Sequence, residues 1–265
     1  MNRGPLARIF VAALLSLLAV QGVQAASGYT QTVFRDDAFA TQRNSYLCTA
    51  AVVQNIVNLA TGKSRAGKTQ QLKFYAYGRD HNRYDYRNAG VDPQGVEAML
   101  ELYIPGSDWV QVVRPGMQGA LKASARGMRA TGLPAVLFVG GGTHVWTMNG
   151  YTASADPASG EFFKITHVRF SGPLYPKTIA KHGWFDLEPN TRRSSDRFTN
   201  VFFPYKEYLA FGDRRWTPWN GNFVAVVPLT YQPPDPEPTP EPTPDPTPEP
   251  TLEPEPTDDP APDNP

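Results

Sequence analysis

Two residues of this sequence have side chains and positions that suit nucleophilic chemistry at a carbonyl carbon. Cys48 is the only cysteine, so it has no disulfide partner within the chain. A lone thiol can be a reactive nucleophile, form an intermolecular disulfide, or simply fill the core. A thiolate nucleophile needs a nearby base, and histidine titrates in the right range. Of four histidines, His144 alone opens a predicted strand directly after three glycines; we interpret His81, His167 and His182 as structural or solvated.

The residues around Cys48 predict a helix that begins close to the thiol. Apolar side chains recur at three- and four-residue spacing between residues 46 and 60, and Gly62 stands where a helix would stop. Asn44 or Ser45 is a suitable N-cap residue. Cys48 is therefore expected in the first helical turn, where the positive end of the helix dipole favours a thiolate.

The rest of the sequence predicts helices first and antiparallel strands second. A second helix starts at Asp92 and Pro93, and residues 117–131 predict a third. The tyrosine-rich stretch 74–90 reads as a loop or irregular helix. Four β-branched or aromatic segments, separated by turn residues, predict strands at 134–141, 144–153, 162–170 and 222–229. This order predicts an α+β domain with a cleft between its two halves.

Both ends of the chain are expected to lie outside this domain. Residues 1–25 combine early arginines, a 12-residue apolar run and a small-residue cleavage pattern, which predicts a secretory signal. Residues 233–265 contain 15 prolines, ten acids and no base, so they predict an extended, disordered tail. We therefore expect a secreted or cell-surface protein with one domain at 26–232. No span is expected to remain in a membrane after signal cleavage.

The charge of the chain is divided between the domain and the tail. The whole sequence has 25 basic and 25 acidic residues, but residues 27–232 alone have 23 bases and 15 acids, about +8. A basic domain can meet an anionic polymer at a cell surface, or it can be a solvated surface without a partner. We predict no nucleic-acid partner, no cofactor and no metal, and we expect a monomer.

Residues 62–69 match the pattern of a nucleotide-binding phosphate loop letter for letter. Such a loop functions because it joins a buried strand to a helix whose N-terminal amides face the phosphates. The segment before it, 52–60, has helical spacing and several polar residues instead. We therefore interpret the match as coincidental.

Several stretches together resemble the bacteriocin-processing (double-glycine leader) cysteine peptidases, a papain-like family. The resemblance spans roughly residues 40–172 and is carried by QRNSYLCTAAVVQNIVN, VDPQGVEAMLELY and GLPAVLFVGGGTHVWTMNGYTAS, with WNGNFVAVVP as a terminal strand. It implies a papain-like fold with Cys48 as nucleophile and His144 as general base and then acid. It also implies that Gln42 donates its side-chain amide to the oxyanion, together with the backbone amide of Cys48.

The sequence departs from that family at two places. Thr49-Ala50-Ala51 replaces Gly-Pro-Ala after the cysteine. The family also has an aspartate or asparagine after the next strand to orient the imidazole, whereas the matching place here is Ser171-Gly172-Pro173. Asn149 and Asp156 are not at the matching position. The imidazole could be oriented by a serine or by a distant acid, or catalysis could be lost; all three alternatives stay open at this point.

Two functions from different classes are consistent with these features. The first is a secreted thiol hydrolase that cleaves peptide bonds, or cell-wall peptide and isopeptide bonds, through an acyl-enzyme. The second is a catalytically impaired domain of the same fold that serves as a binding module on a proline-rich stalk. A covalent dimer through Cys48 is a third, weaker alternative.

Overall fold

The computed structural model describes residues 28–64, 67–86, 90–176, 186–212 and 216–233. The predicted signal segment and the predicted tail beyond its first residue lie outside these ranges, as does His182. Those predictions are therefore not tested by the structure.

Three helices follow one another in the first half of the chain. They are α1 (Cys48–Thr61), α2 (Lys68–Asp80) and α3 (Pro93–Tyr103). Helix α1 ends as predicted, because Gly62 adopts the left-handed conformation with φ of 67° and its N–H caps the last turn. The carboxylate of Asp92 accepts a backbone N–H from the first turn of α3 at 2.9 Å.

Helix α2 corrects the interpretation of residues 74–90 for its first part, because regular helical turns run through Asp80, whereas residues 81–86 form the predicted loop. Its buried stripe consists of Gln71, Phe74 and Gly78, so two of three inward positions lack an apolar side chain. The apolar periodicity from which a helix is predicted is therefore weak in this segment. Residues 62–69 connect α1 to α2, so the nucleotide-loop pattern follows a helix, as predicted, and not a buried strand.

In the described ranges, the helices are combined with one antiparallel sheet of seven strands, so the predicted α+β class is confirmed. Its order is β2-β7-β3-β4-β5-β6, and β1 pairs with the end of β4. The strands are β1 (Tyr29–Thr32), β2 (Ser107–Arg114), β3 (Ala135–Val139), β4 (His144–Ala153), β5 (Ile165–Ser171), β6 (Thr191–Ser194) and β7 (Phe223–Tyr231). The remaining helices are α4 (Met117–Thr131), α5 (Ser195–Phe198) and α6 (Glu207–Phe211).

Strands β1, β2 and β6 are not among the predicted strands. β1 and β6 have four residues each, which is too short for an alternating pattern to be recognised. β2 is the edge strand of the sheet, and its burial does not alternate regularly.

A tight glycine turn places His144 at the first position of β4. Gly140, Gly141 and Gly142 all have positive φ, between 63° and 90°, which glycine adopts readily. A Cβ on Gly142 would overlap the ring of Tyr205, so the residue must also be small. β4 then pairs with β3 from His144 onward.

Apolar residues cover both faces of the sheet. Alternate residues of β3 point in opposite directions, so Val136 and Phe138 join the core beneath α1–α3, and Leu137 joins the core on the other face. Helix α1 packs against β4 as well as α2 and α3. The fold therefore brings the start of α1 and the start of β4 together. None of the helices seen in the ranges above is long and apolar enough to cross a membrane.

Candidate active site

Cys48 is the first residue of α1 and is half-buried. The N-cap residue, Leu47, makes no side-chain cap, and the first turn has no acidic residue. The backbone N–H groups of that turn are therefore not capped by a side chain of the helix start. Such groups favour negative charge on a thiolate or on an oxygen bound beside it.

The imidazole of His144 lies between the Cys48 thiol and a carboxylate. Its Nε2 atom is 3.1 Å from Oδ2 of Asp186, and the Cys48 side chain interacts with the same ring, which raises the pKa of the imidazole. Because Nε2 faces Asp186, the nitrogen left for the sulfur is Nδ1. The structure thus brings together Cys48 and His144, which are about a hundred residues apart in the sequence.

Asp186 is a buried carboxylate whose side chain is 0% exposed. Besides His144, it accepts a hydrogen bond from Nε1 of Trp146 on Oδ1 at 2.7 Å and one from the backbone N–H of Leu174 on Oδ2. Three N–H donors therefore compensate the cost of burying this charge.

Asp186 is a site residue that the sequence reasoning missed. The resemblance assigns the orienting side chain to the Ser171-Gly172 position, whereas the carboxylate comes from a residue 42 positions after His144. A Cβ on Gly172 would lie closer than 3.0 Å to three carboxyl atoms of Asp186, a separation that real Cβ atoms essentially never show. The Asp186 carboxylate therefore occupies the space of the side chain that Gly172 lacks. The one sequence signal for it is an acid between Phe185 and Leu187, an apolar context that suggests burial.

The other candidates for the orienting residue are engaged elsewhere. Asn149 donates to the hydroxyl of Ser171, which also accepts the backbone N–H of Asn190 at 2.9 Å. Asp156 forms an ion pair with Arg129 at 3.1 Å near the surface. Of the alternatives open from the sequence, the structure favours the distant acid.

Gln42 lies in the segment that leads into α1 and is only 2% exposed. Its Nε2 donates to the carbonyl of Asn44 at 2.7 Å, and its backbone N–H donates to the carbonyl of Pro173 at the same distance. The backbone hydrogen bond joins the segment before Cys48 to Pro173, which follows Gly172 directly.

The electrostatic environment keeps His144 protonated. Burial lowers the pKa of its imidazole, but hydrogen bonds to Asp186 and Cys48 and the charges of both groups outweigh burial, raising the pKa from 6.5 to about 9. The imidazole is therefore expected in its charged form near neutral pH.

This shift predicts how the stability of the protein depends on pH. The folded pKa of His144 is above the unfolded value, so its stabilisation is complete below pH 6.5 and is lost as pH rises through 9. We expect the free energy of unfolding, from urea titrations at pH 6.5 and 9.5, to fall by on the order of 3 kcal/mol over this interval. The fall should be smaller in Cys48→Ala, which lacks one partner of the imidazole. An equal fall in His144→Asn would contradict this assignment.

Across the ranges that the structure describes, no group of three or more His, Cys, Asp or Glu side chains is arranged to hold a metal ion. The chain matches no protein-family model, no curated protein and no solved structure. Its function therefore has to be inferred from the geometry around Cys48, His144 and Asp186.

Proposed function

We propose that this protein is a thiol hydrolase with a papain-like fold that cleaves peptide or isopeptide bonds through Cys48, His144 and Asp186. The observation that carries the proposal is one imidazole that hydrogen-bonds to a buried carboxylate and also interacts with a helix-start thiol. A nucleophile, its base and the group that orients the base are the three parts that acyl transfer requires. The α+β architecture, with the thiol on the first long helix and the imidazole on the sheet, is compatible with a papain-like fold.

Acylation begins with the Cys48 thiolate and the His144 imidazolium. Sγ attacks the carbonyl carbon, and the carbonyl electron pair moves onto oxygen. In this proposal the oxyanion accepts hydrogen bonds from the backbone N–H of Cys48 and the side-chain amide of Gln42. His144 gives its Nδ1 proton to the leaving nitrogen as the C–N bond breaks. The products are a free amine and a thioester on Cys48.

Deacylation reverses these roles with water. Neutral His144 removes a proton from a water molecule, whose oxygen attacks the thioester carbon. Collapse of the second tetrahedral intermediate breaks the C–S bond and releases a carboxylic acid and the Cys48 thiolate. Throughout, the Asp186 carboxylate accepts from Nε2, so Nδ1 is the nitrogen that exchanges protons.

The structure reduces the support for the binding-module alternative. A missing orienting group and the basic charge of the domain favour that alternative, and Asp186 removes the first of these by lying 3.1 Å from the ring. The basic surface stays compatible with an anionic cell-surface polymer, which would bring a cell-wall peptide close to the thiol. Export of the protein, predicted from residues 1–25, is part of the same proposal.

Aromatic side chains near Cys48 suit a peptide substrate with apolar side chains. Tyr46, two residues before the thiol, is 40% exposed, and its ring lies 5.0 Å from that of Tyr75. Of the tyrosine-rich run considered in the sequence, Tyr86 is buried in the core instead. Part of that run therefore packs in the core, and Tyr75 lies against the exposed ring of Tyr46.

The reactivity of the thiol tests the proposal. We expect iodoacetamide to label Cys48 in the native protein near neutral pH, and His144→Ala to slow labelling by about tenfold or more because the imidazolium is lost. Mass spectrometry of the labelled chain gives the rate, and Cys48→Ala is the blank for labelling and for hydrolysis of a mixed peptide and cell-wall peptide library. Labelling that requires denaturation would favour the binding module.

A further inference from the structure

Trp146 is the second residue after His144 on β4, so the two side chains leave the strand on the same face. Its side chain is 2% exposed and stacks on Phe170, with ring centroids 4.5 Å apart and an interplanar angle of 6°. Its Nε1–H donates to Oδ1 of Asp186 at 2.7 Å. The indole is therefore fixed by packing and holds the carboxylate oxygen that His144 does not contact.

In every hydrogen bond that the structure gives to the Asp186 side chain, the carboxylate is the acceptor. Oδ1 faces the indole N–H of Trp146, and Oδ2 faces Nε2 of His144 and the backbone N–H of Leu174. A carboxylate accepts on both oxygens, whereas an amide has one acceptor and one donor end. An asparagine at this position would direct its NH₂ group at a buried N–H group in either orientation.

We propose that Trp146 is a positioning residue whose indole N–H selects a carboxylate over an amide at residue 186, so that His144 has a charged partner. Without that N–H, an asparagine could turn its oxygen toward His144 and Leu174 and its NH₂ toward the space at Oδ1. With the N–H in place, the NH₂ group faces the indole N–H in one orientation, and His144 and Leu174 in the other. The inference adds a residue to the hydrolase proposed above, and its kinetic test rests on that function.

A double-mutant cycle measures the selection. We expect Asp186→Asn to lower kcat/KM by about 10³-fold in the native background and Trp146→Phe alone to lower it by about tenfold. In the Trp146→Phe background, the same Asp186→Asn change should cost only about tenfold, because the donor conflict is gone. Phe170→Leu is the matched control: it removes the stacking ring but keeps the indole N–H, so Asp186→Asn should still cost about 10³-fold there.

A second readout does not depend on hydrolysis. Nitrogen NMR of His144 in a Cys48→Ala background reports which ring nitrogen carries the hydrogen in the neutral imidazole. We expect hydrogen on Nε2 in the parent, a loss of that preference in Asp186→Asn, and its recovery in Asp186→Asn with Trp146→Phe. If Trp146→Phe does not fold, 3-benzothienylalanine at position 146 keeps the ring shape without the N–H. The proposal is overturned if Asp186→Asn lowers kcat/KM equally in both backgrounds, or if it leaves the hydrogen of His144 on Nε2. If the parent hydrolyses nothing but shows the expected NMR changes, only the proposed hydrolase function is refuted.

Discussion

Replacement of Asp186 by alanine is expected to lower kcat/KM by about 10³-fold, because His144 loses the partner that holds its proton on Nε2. Nothing else in the described contacts of the ring takes over this role, since its other partner is the Cys48 thiol. The N–H groups of Trp146 and Leu174 would also lose their acceptor, so some loss of stability accompanies the loss of activity. Steady-state hydrolysis and urea titration of the same variant separate the two effects.

Asp156→Ala is the control for this replacement. Asp156 is an aspartate that the sequence offers as another acid near the histidine strand, but it pairs with Arg129 near the surface. Exposed ion pairs contribute little to stability, so this variant should keep native kcat/KM within about twofold. Native activity in Asp186→Ala, or an equal loss in Asp156→Ala, would remove Asp186 from the mechanism.

Replacement of Gly172 by alanine should lower kcat/KM by about 10²-fold without a change at any residue that contacts substrate. The added Cβ would overlap the Asp186 carboxylate, so the carboxylate has to shift away from Nε2 of His144. A displacement of about 1 Å in a catalytic arrangement can cost this much. Gly172 is not among the positive-φ glycines, so alanine introduces a steric conflict and no backbone strain. Hydrolysis rates and the tautomer of His144 measure the shift.

Gly116→Ala is the matched glycine control. Gly116 has φ of −125°, and a Cβ there meets nothing within 4 Å. It should keep native activity. If Gly172→Ala is as active as Gly116→Ala, the carboxylate does not lie where the structure has it.

The predictable part of the site is the part with local signals. The helix containing Cys48 was recognisable from its apolar spacing and its terminal glycine, and the position of His144 from the three glycines before a β-branched stretch. The α+β class follows from the order of such segments. Gln42 was proposed from a resemblance, and its role in catalysis stays a prediction.

Asp186 could not be predicted in the same way, because its position depends on tertiary contacts. Its neighbours are Trp146 on β4, Leu174 after β5 and the missing side chain of Gly172. No periodicity links these residues to position 186, and spacing along the chain does not fix which loop residue enters a buried space. A glycine at the expected position of the orienting group leaves room for a side chain from elsewhere in the chain, and Asp186 fills that room.

Asp186 is held by His144 and Trp146 on β4 and by the backbone N–H of Leu174, which follows β5. Leu174 holds the carboxylate, β6 pairs with β5, and β7 lies between β2 and β3. A chain cut between 176 and 186 would yield one piece with the thiol and imidazole and a second piece with the acid. For the proposed hydrolase, the hydrolysis rate after mixing the two pieces would then report whether they associate.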